Sequence, residues 1–205
     1  FDTRIPELTR NLLRLYRQRT VADDTAGLSW YPNAHNIVCQ WSEIYGYSIA
    51  TVACVISAIS PQIDWNRNLI VADDVLAGRP PSIGGPLRSN IRKAERIRDD
   101  RASQITLYFP YGPKVASFAC NLAGDYSVVT VDTHACQAAL ADPLSTVTLS
   151  WKPYSVFAHC YSRAAVKVGI EPAMFQAILW HTWKRLYPRV WKLQHRKQWE
   201  PIGEY

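Results

Sequence analysis

"FPYGPKVASFACNLAGDYSVVTVDTH" spans residues 109–134 and holds one lysine and two aspartates in a run that is otherwise apolar or uncharged. Pro110, Tyr111, Gly112 and Pro113 read as a tight turn. "ASQITLYF" (102–109) before it and "PKVASFACNLAG" (113–124) after it read as helices. Helix, turn, helix presents the first amide N–H groups of the second helix, and its positive dipole end, on one surface that suits a phosphate. Lys114 falls in that first turn, where a cation is mildly disfavoured and where burial would favour the neutral, nucleophilic amine. Asp132 stands directly before "THACQAAL" (133–140), the place of a helix N-cap. Taken one at a time, such a lysine is ordinarily solvated and such an aspartate only a cap. Brought together, a desolvated lysine and a carboxylate form a pair that can do chemistry.

Working outward, the chain reads as helix after helix. "PELTRNLLRLYRQRT" (6–20) spaces Leu8, Leu12, Leu15 and Tyr16 at three-to-four intervals. Asn33 is expected to cap a helix through "AHNIVCQWSEIY" that Gly46 ends, and an apolar helix follows over 48–59. Ser60 and Pro61 are expected to open the next helix, with Gly78 as its stop. "RPPSIGGP" (79–86) is the clearest loop. Helical patterns resume in "LRSNIRKAERIRDD", "KPYSVFAHCYSRAAVKVG" and "EPAMFQAILWHTWKRLYP". Only "YSVVTV" (126–131) looks like a strand, and one strand builds no sheet. The expectation is an all-α protein of two helical lobes. Lobe a runs from about 22 to 140, and lobe b joins the N-terminal helix 1–21 to 141–205.

Composition narrows the function classes. The 205 residues are 48% hydrophobic and 20% charged, an ordinary globular balance. The longest apolar run, "SIATVACVISAIS" (48–60), is too short for a membrane span and reads as a buried helix. No basic and apolar leader opens the sequence, so an intracellular, non-membrane protein is expected. The net charge is +6, with a basic excess concentrated in two places. "RSNIRKAERIRDDR" (88–101) carries six Arg or Lys against three acids, and "KRLYPRVWKLQHRK" (184–197) carries six and no acid. Basic stretches interleaved with Trp and Tyr fit a polyanion, of which nucleic acid is the usual one, although charge alone fits solvated helix faces as well. Cys39, Cys54, Cys120, Cys136 and Cys160 form no Cys-x-x-Cys pair and sit in apolar surroundings, so they read as reduced small hydrophobes. His35, His134, His159, His181 and His195 also lack close ligand spacing, and neither a metal nor a cofactor is expected.

The opening stretch resembles the helix-hairpin-helix DNA glycosylase superfamily, most closely its endonuclease-III-like branch. That family carries Leu-Pro-Gly-Val-Gly-Arg-Lys-Thr-Ala at its hairpin and Val-Asp-Thr-His at the next helix. "PYGPKVA" aligns without gaps, so that Lys114 falls on the catalytic lysine. "VDTH" puts Asp132 on the catalytic aspartate, 18 residues later, as in the family. "NIRKAERI" (90–97) is similar to an Asn-x-Lys-Ala-x-x-Ile helix. "ISAISPQIDW" (56–65) is similar to the segment that inserts a glutamine into duplex DNA, here Gln62. The likeness runs in order from about residue 48 to 187.

This resemblance implies a two-lobed glycosylase fold with a helix-hairpin-helix motif and double-stranded DNA bearing a modified or damaged base as partner, acted on by a monomer. The target nucleotide would be flipped out of the duplex. Tyr111, Gly112, Val115 and His134 would meet DNA, and Gln62 would fill the gap left behind. Lys114 would attack the sugar C1′ and Asp132 would stabilise the transition state, giving base excision with AP lyase strand nicking. Trp65, Trp30 and Tyr31 are candidates for the walls of the base pocket, with Trp180 and Trp183 as further stacking surfaces, although each has the plain reading of a core aromatic. The sequence also departs from the family. Pro110 and Tyr111 replace a glycine and an apolar residue of the hairpin, Gln137 stands where an arginine is usual, and the four-cysteine cluster loop is missing. Two alternatives therefore stay open: a base-modifying or base-exchanging enzyme on the same scaffold, and a non-catalytic DNA-binding protein.

Overall fold

Gly112, with φ of 100°, stands as N-cap before α6 (Pro113–Leu122), and Pro113 occupies the first-turn position where its missing N–H costs nothing. Glycine alone takes that φ without strain, and a Cβ there would meet no atom within 4 Å, so the requirement is conformational and not steric. This is a computed structural model that describes residues 4–100 and 112–188. The first helix and turn expected for the hairpin, with Pro110 and Tyr111, lie outside the described residues.

The other described helices are α1 (Ile5–Tyr16), α2 (Val21–Tyr45), α3 (Ile49–Ile59), α4 (Trp65–Leu76), α5 (Arg88–Asp100), α7 (Thr133–Leu140), α8 (Trp151–Val168) and α9 (Pro172–Leu186). No strand occurs among the described residues, and the fold is all-α. The β-branched stretch leaves a turn at Tyr126 and Ser127 and runs through 129–131 with no partner strand among the described residues. Side chains take over the pairing that a neighbouring strand would supply. Asn121 Nδ2 donates to the carbonyls of Asp125 and Val128, both at 2.8 Å. The Tyr154 hydroxyl accepts from Val131 N and donates to Val129 O, each at 3.0 Å.

Two hydrophobic clusters make the core. In the first, α3 is buried at every residue from Thr51 to Ile59 and packs against α2, α4, α5 and α6, as expected of a helix that is apolar all round. The second gathers Leu8, Leu12 and Leu15 of α1 with α7, α8 and Val129 and Val131. α9 serves both: Ala173 and Ala177 face the first cluster, while Phe175, Leu179 and Trp183 face the second. α7, which the sequence reading put in lobe a, packs in the second cluster. Its apolar side is a run of small residues that fits against α1 and α9.

Two helix starts differ from expectation. α2 begins at Val21 and not after Asn33, because Thr20 and Asp23 form a reciprocal capping box: Asp23 N donates to Thr20 Oγ1 at 3.2 Å and Thr20 N to Asp23 Oδ2 at 2.8 Å. Pro32 thus lies inside a helix and deprives the Leu28 carbonyl of its donor. Leu28 is exposed, where water can substitute, and burial of α2 against α9 offsets the rest. α4 begins at Trp65 and not at Ser60. Asp64 is its cap, with Oδ1 accepting from Arg67 N at 3.1 Å, while Ser60 closes α3. No single described helix is long and apolar enough to cross a membrane.

Candidate functional site

Helical spacing places Lys114, Ser117, Phe118 and Asn121 on one side of α6. Asn121 and Ser117 turn toward the extended segment that ends in Asp132. Thr130 Oγ1 donates to Asn121 Oδ1 at 2.7 Å, and Ser117 reaches the Tyr154 phenol that brackets Val129 and Val131. Phe118 turns the other way, its ring centroid 5.9 Å from Trp30, 6.4 Å from Trp65 and 6.5 Å from Tyr31. Lys114 is therefore at the open end of a face that joins the Asp132 segment to a tryptophan cluster. It is partly buried, so the desolvation expected of it is incomplete.

Asp132 caps α7 as expected, with Oδ1 accepting from Ala135 N at 2.8 Å. It is half-buried, with buried phenols and a buried thiol nearby. Burial pushes the Tyr154 phenol and the Cys136 thiol each up to about 12, and the nearby Asp132 charge adds to both shifts. Burial also raises Tyr31 and Tyr161, and Asp132 contributes there too. Lys184 of α9 comes within its field, with Nζ 3.8 Å from the centre of the Trp180 ring. Burial lowers the Lys184 pKa and outweighs the opposite pull of Asp132.

Beside the α6 face lies a cleft of about 330 Å³, lined by Ala26, Ser29, Trp30, Asn33, Ala34, Ile37, Trp65 and His181. Trp30 and Trp65 form one angled wall, with centroids 5.2 Å apart. Two of the expected pocket residues are thus in the cleft. Tyr31 is not: it is 3% exposed, its hydroxyl donates to Gln176 Oε1 at 3.2 Å, and it belongs to the core beneath the wall.

The remaining residues are spread around this region. Gln62 is exposed in the α3–α4 turn with φ of 67°, a left-handed backbone that side chains adopt at a cost. Val115 is buried and its carbonyl accepts from Ser57 Oγ at 2.6 Å, so only its backbone N–H can face a ligand. His134 Nδ1 pairs with Gln137 Oε1 at 3.2 Å, and Gln137 is fully buried with Nε2 donating to Ser145 O, which turns it away from any DNA surface. Trp183 is core, its ring tilted against Tyr187 with centroids 4.2 Å apart. On α5, Arg88, Arg92 and Arg96 are exposed at four-residue spacing and form a cationic stripe. In the second basic stretch only 184–188 are described, and Arg185 is held there by Asp23, Nη2 to Oδ2 at 2.8 Å. All five cysteines are free thiols.

His181 and Lys184 were not singled out from sequence. Both lie in a Trp-rich basic helix whose pattern reads as amphipathic, and nothing in it marks which side meets Asp132. A family described as "Family of unknown function (DUF7178)" matches residues 2–186. No curated protein and no solved structure matches.

Proposed function

The chain belongs to that family of unknown function, and we propose that it is a DNA base-excision enzyme, a glycosylase with AP lyase activity. One observation carries the reading: by helical spacing Lys114 shares a side of α6 with Ser117 and Asn121, which reach the segment ending in Asp132, and with Phe118, which meets the tryptophans of an apolar cleft. A nucleophile, a carboxylate and a pocket for a planar group are the parts that excision of a flipped base requires. The exposed Arg88–Arg92–Arg96 stripe and the first-turn amides of Lys114 and Val115 supply phosphate contacts.

In the proposed reaction the uncharged Lys114 Nζ attacks C1′ of the extruded nucleotide. The C1′–N bond breaks, its electron pair leaves with the base, and the base takes up a proton. Asp132, held by Ala135 N through Oδ1, stabilises the positive charge on the sugar through its carboxylate. Loss of a proton from nitrogen and opening of the sugar give a Schiff base, from which β-elimination cuts the strand and water releases Lys114.

Borohydride trapping on a panel of duplexes, each with one modified base, tests this. A reduced protein–DNA adduct is expected, and it disappears in Lys114→Gln. Asp132→Asn keeps the cap and the melting temperature but lowers excision about 100- to 1,000-fold, the usual effect of removing one preorganised electrostatic group. An adduct that survives in Lys114→Gln and vanishes in Lys184→Gln would move the nucleophile to α9. No adduct on any duplex would leave a binder or a base-modifying enzyme.

A further inference from the structure

The cleft has a definite polarity. Its walls are apolar, and among the described residues no carboxylate, lysine or arginine lines it. Of its three polar residues, Ser29 is engaged, its hydroxyl donating to Thr25 O at 2.8 Å. Asn33 is exposed at the rim, and His181 Nε2 is buried without a hydrogen-bond partner among the described residues. An unpaired buried ring nitrogen is costly unless something binds it. The volume lies near the low end of the roughly 300–1,000 Å³ range of small-molecule sites, so it suits one ring system with a substituent and not a dinucleotide. An ion entering would lose its hydration with no counter-charge among the described residues of the wall.

We propose that this cleft receives an uncharged planar heterocycle, stacked on the Trp30–Trp65 wall, with His181 Nε2 and Asn33 reading its polar edge; this rests on the excision reading, in which the heterocycle is the flipped base. His181 is then a specificity-determining residue that touches the leaving group. The neutral imidazole is the form present. Burial lowers the His181 pKa, Lys184 on α9 lowers it further, and Asp23 on α2 opposes them in part. On α4, Asp64 is occupied in capping its own helix at Arg67. Protonation below the ordinary histidine value of about 6.5 replaces a neutral edge by a cation with no partner in the wall, so binding is retained at neutral pH and lost on acidification.

The test uses the full chain and saturation-transfer NMR with adenine and thymine as uncharged probes and orotate as a charged one. Saturable binding of at least one uncharged base is expected, with none of orotate. His181→Phe keeps the ring volume and should weaken binding at least 10-fold with an unchanged melt. His181→Gln, which restores an amide near the same edge, should recover part of the loss. Orotate binding as well as the uncharged bases, no saturable binding of either base, or equal binding by His181→Phe would overturn the proposal. Borohydride trapping separates its failure from that of the excision reading. A His181→Phe protein that traps every duplex at the original rates sinks the role of His181 and leaves excision standing. Base binding that depends on His181, with no trapping on any duplex, sinks excision and leaves the heterocycle site.

Discussion

Gly27→Ala gives the sharpest test of the packing that builds the site. Gly27 sits inside α2, where replacing glycine by alanine ordinarily stabilises a helix by up to about 1 kcal/mol. Here a Cβ would lie 2.5 Å from the Ile178 Cα and backbone N of α9 and 2.6 Å from its Cγ1, whereas ordinary contact starts at 3.4 Å. Two of those three atoms are backbone, so no rotamer change relieves the clash and the helices must part by roughly 1 Å. Core overpacking typically costs 1–3 kcal/mol, and a helix-to-helix backbone clash belongs at the top, so about 3 kcal/mol is expected. At roughly 2–4 °C per kcal/mol for a chain of this size, the melting temperature should fall by about 6–12 °C. Thermal unfolding followed by circular dichroism at 222 nm measures it. The sign is the diagnostic: a variant that melts at or above the parent temperature would mean that α2 and α9 do not approach at Gly27. Ala26 and Trp30 are one and three residues from Gly27, and His181 is three from Ile178, so the same displacement should widen the cleft and weaken base binding.

Gln62→Gly should separate stability from function. A side chain in the left-handed region costs about 1–2 kcal/mol, and glycine removes that while adding about 0.5–1 kcal/mol of unfolded-state entropy, so the melt should rise by a degree or two while DNA affinity falls. A lower melting temperature would show that the Gln62 side chain is structural. The Asp23–Arg185 pair predicts an acid limb. Burial raises the Asp23 carboxyl, but the hydrogen bonds from Arg185 and Thr20 outweigh it and hold the pKa below its ordinary value. The stability gained is therefore complete above the ordinary carboxylate range of about 3.9 and is lost as pH falls through the lowered value. Arg185→Met should cost about 2 kcal/mol at pH 7 and much less at pH 2.5; equal loss at both would refute the assignment.

What could be read from the sequence was whatever depends on neighbours in the chain. Leu8, Leu12 and Leu15 declared their buried side by spacing, and Asp132 its capping role by standing before Thr133. The α2 start was missed because Pro32 and Gly27 look like breaks locally, whereas the capping box at Thr20 and the contact with Ile178 decide otherwise. α4 was opened too early because Ser60 and Pro61 imitate a cap, while Asp64 does the capping. Trp30 and Trp65 were recognised as pocket candidates on residue type alone. Tyr31 was included with them although one residue of rotation on a helix turns a side chain by about 100° and here sends it into the core. His181 and Lys184 required the fold, because only the packing of α9 between both clusters brings them to the cleft and to Asp132.

Two lysines bear on the proposed site, Lys184 within the field of Asp132 and Lys114 on the side of α6 whose Ser117 and Asn121 reach the Asp132 segment, and their settings differ. Lys184 lies near the C-terminal end of α9, where the helix dipole favours a cation, and its Nζ rests over the Trp180 ring, which also favours the charged form. Burial works against both and lowers the Lys184 pKa, while the side chain stays anchored over the ring. Lys114 has the opposite arrangement. It stands partly buried in the first turn of α6, on a flexible stem at the end of the face that leads to the cleft. On the proposed excision reading the nucleophile must travel to the reacting carbon, which a lysine held over the Trp180 ring is less well placed to do than Lys114; an adduct kept in Lys114→Gln and lost in Lys184→Gln would reverse that assignment. Lys184, resting over Trp180, instead lies within the field of Asp132, the carboxylate to which the proposed reaction gives stabilisation of the transition state.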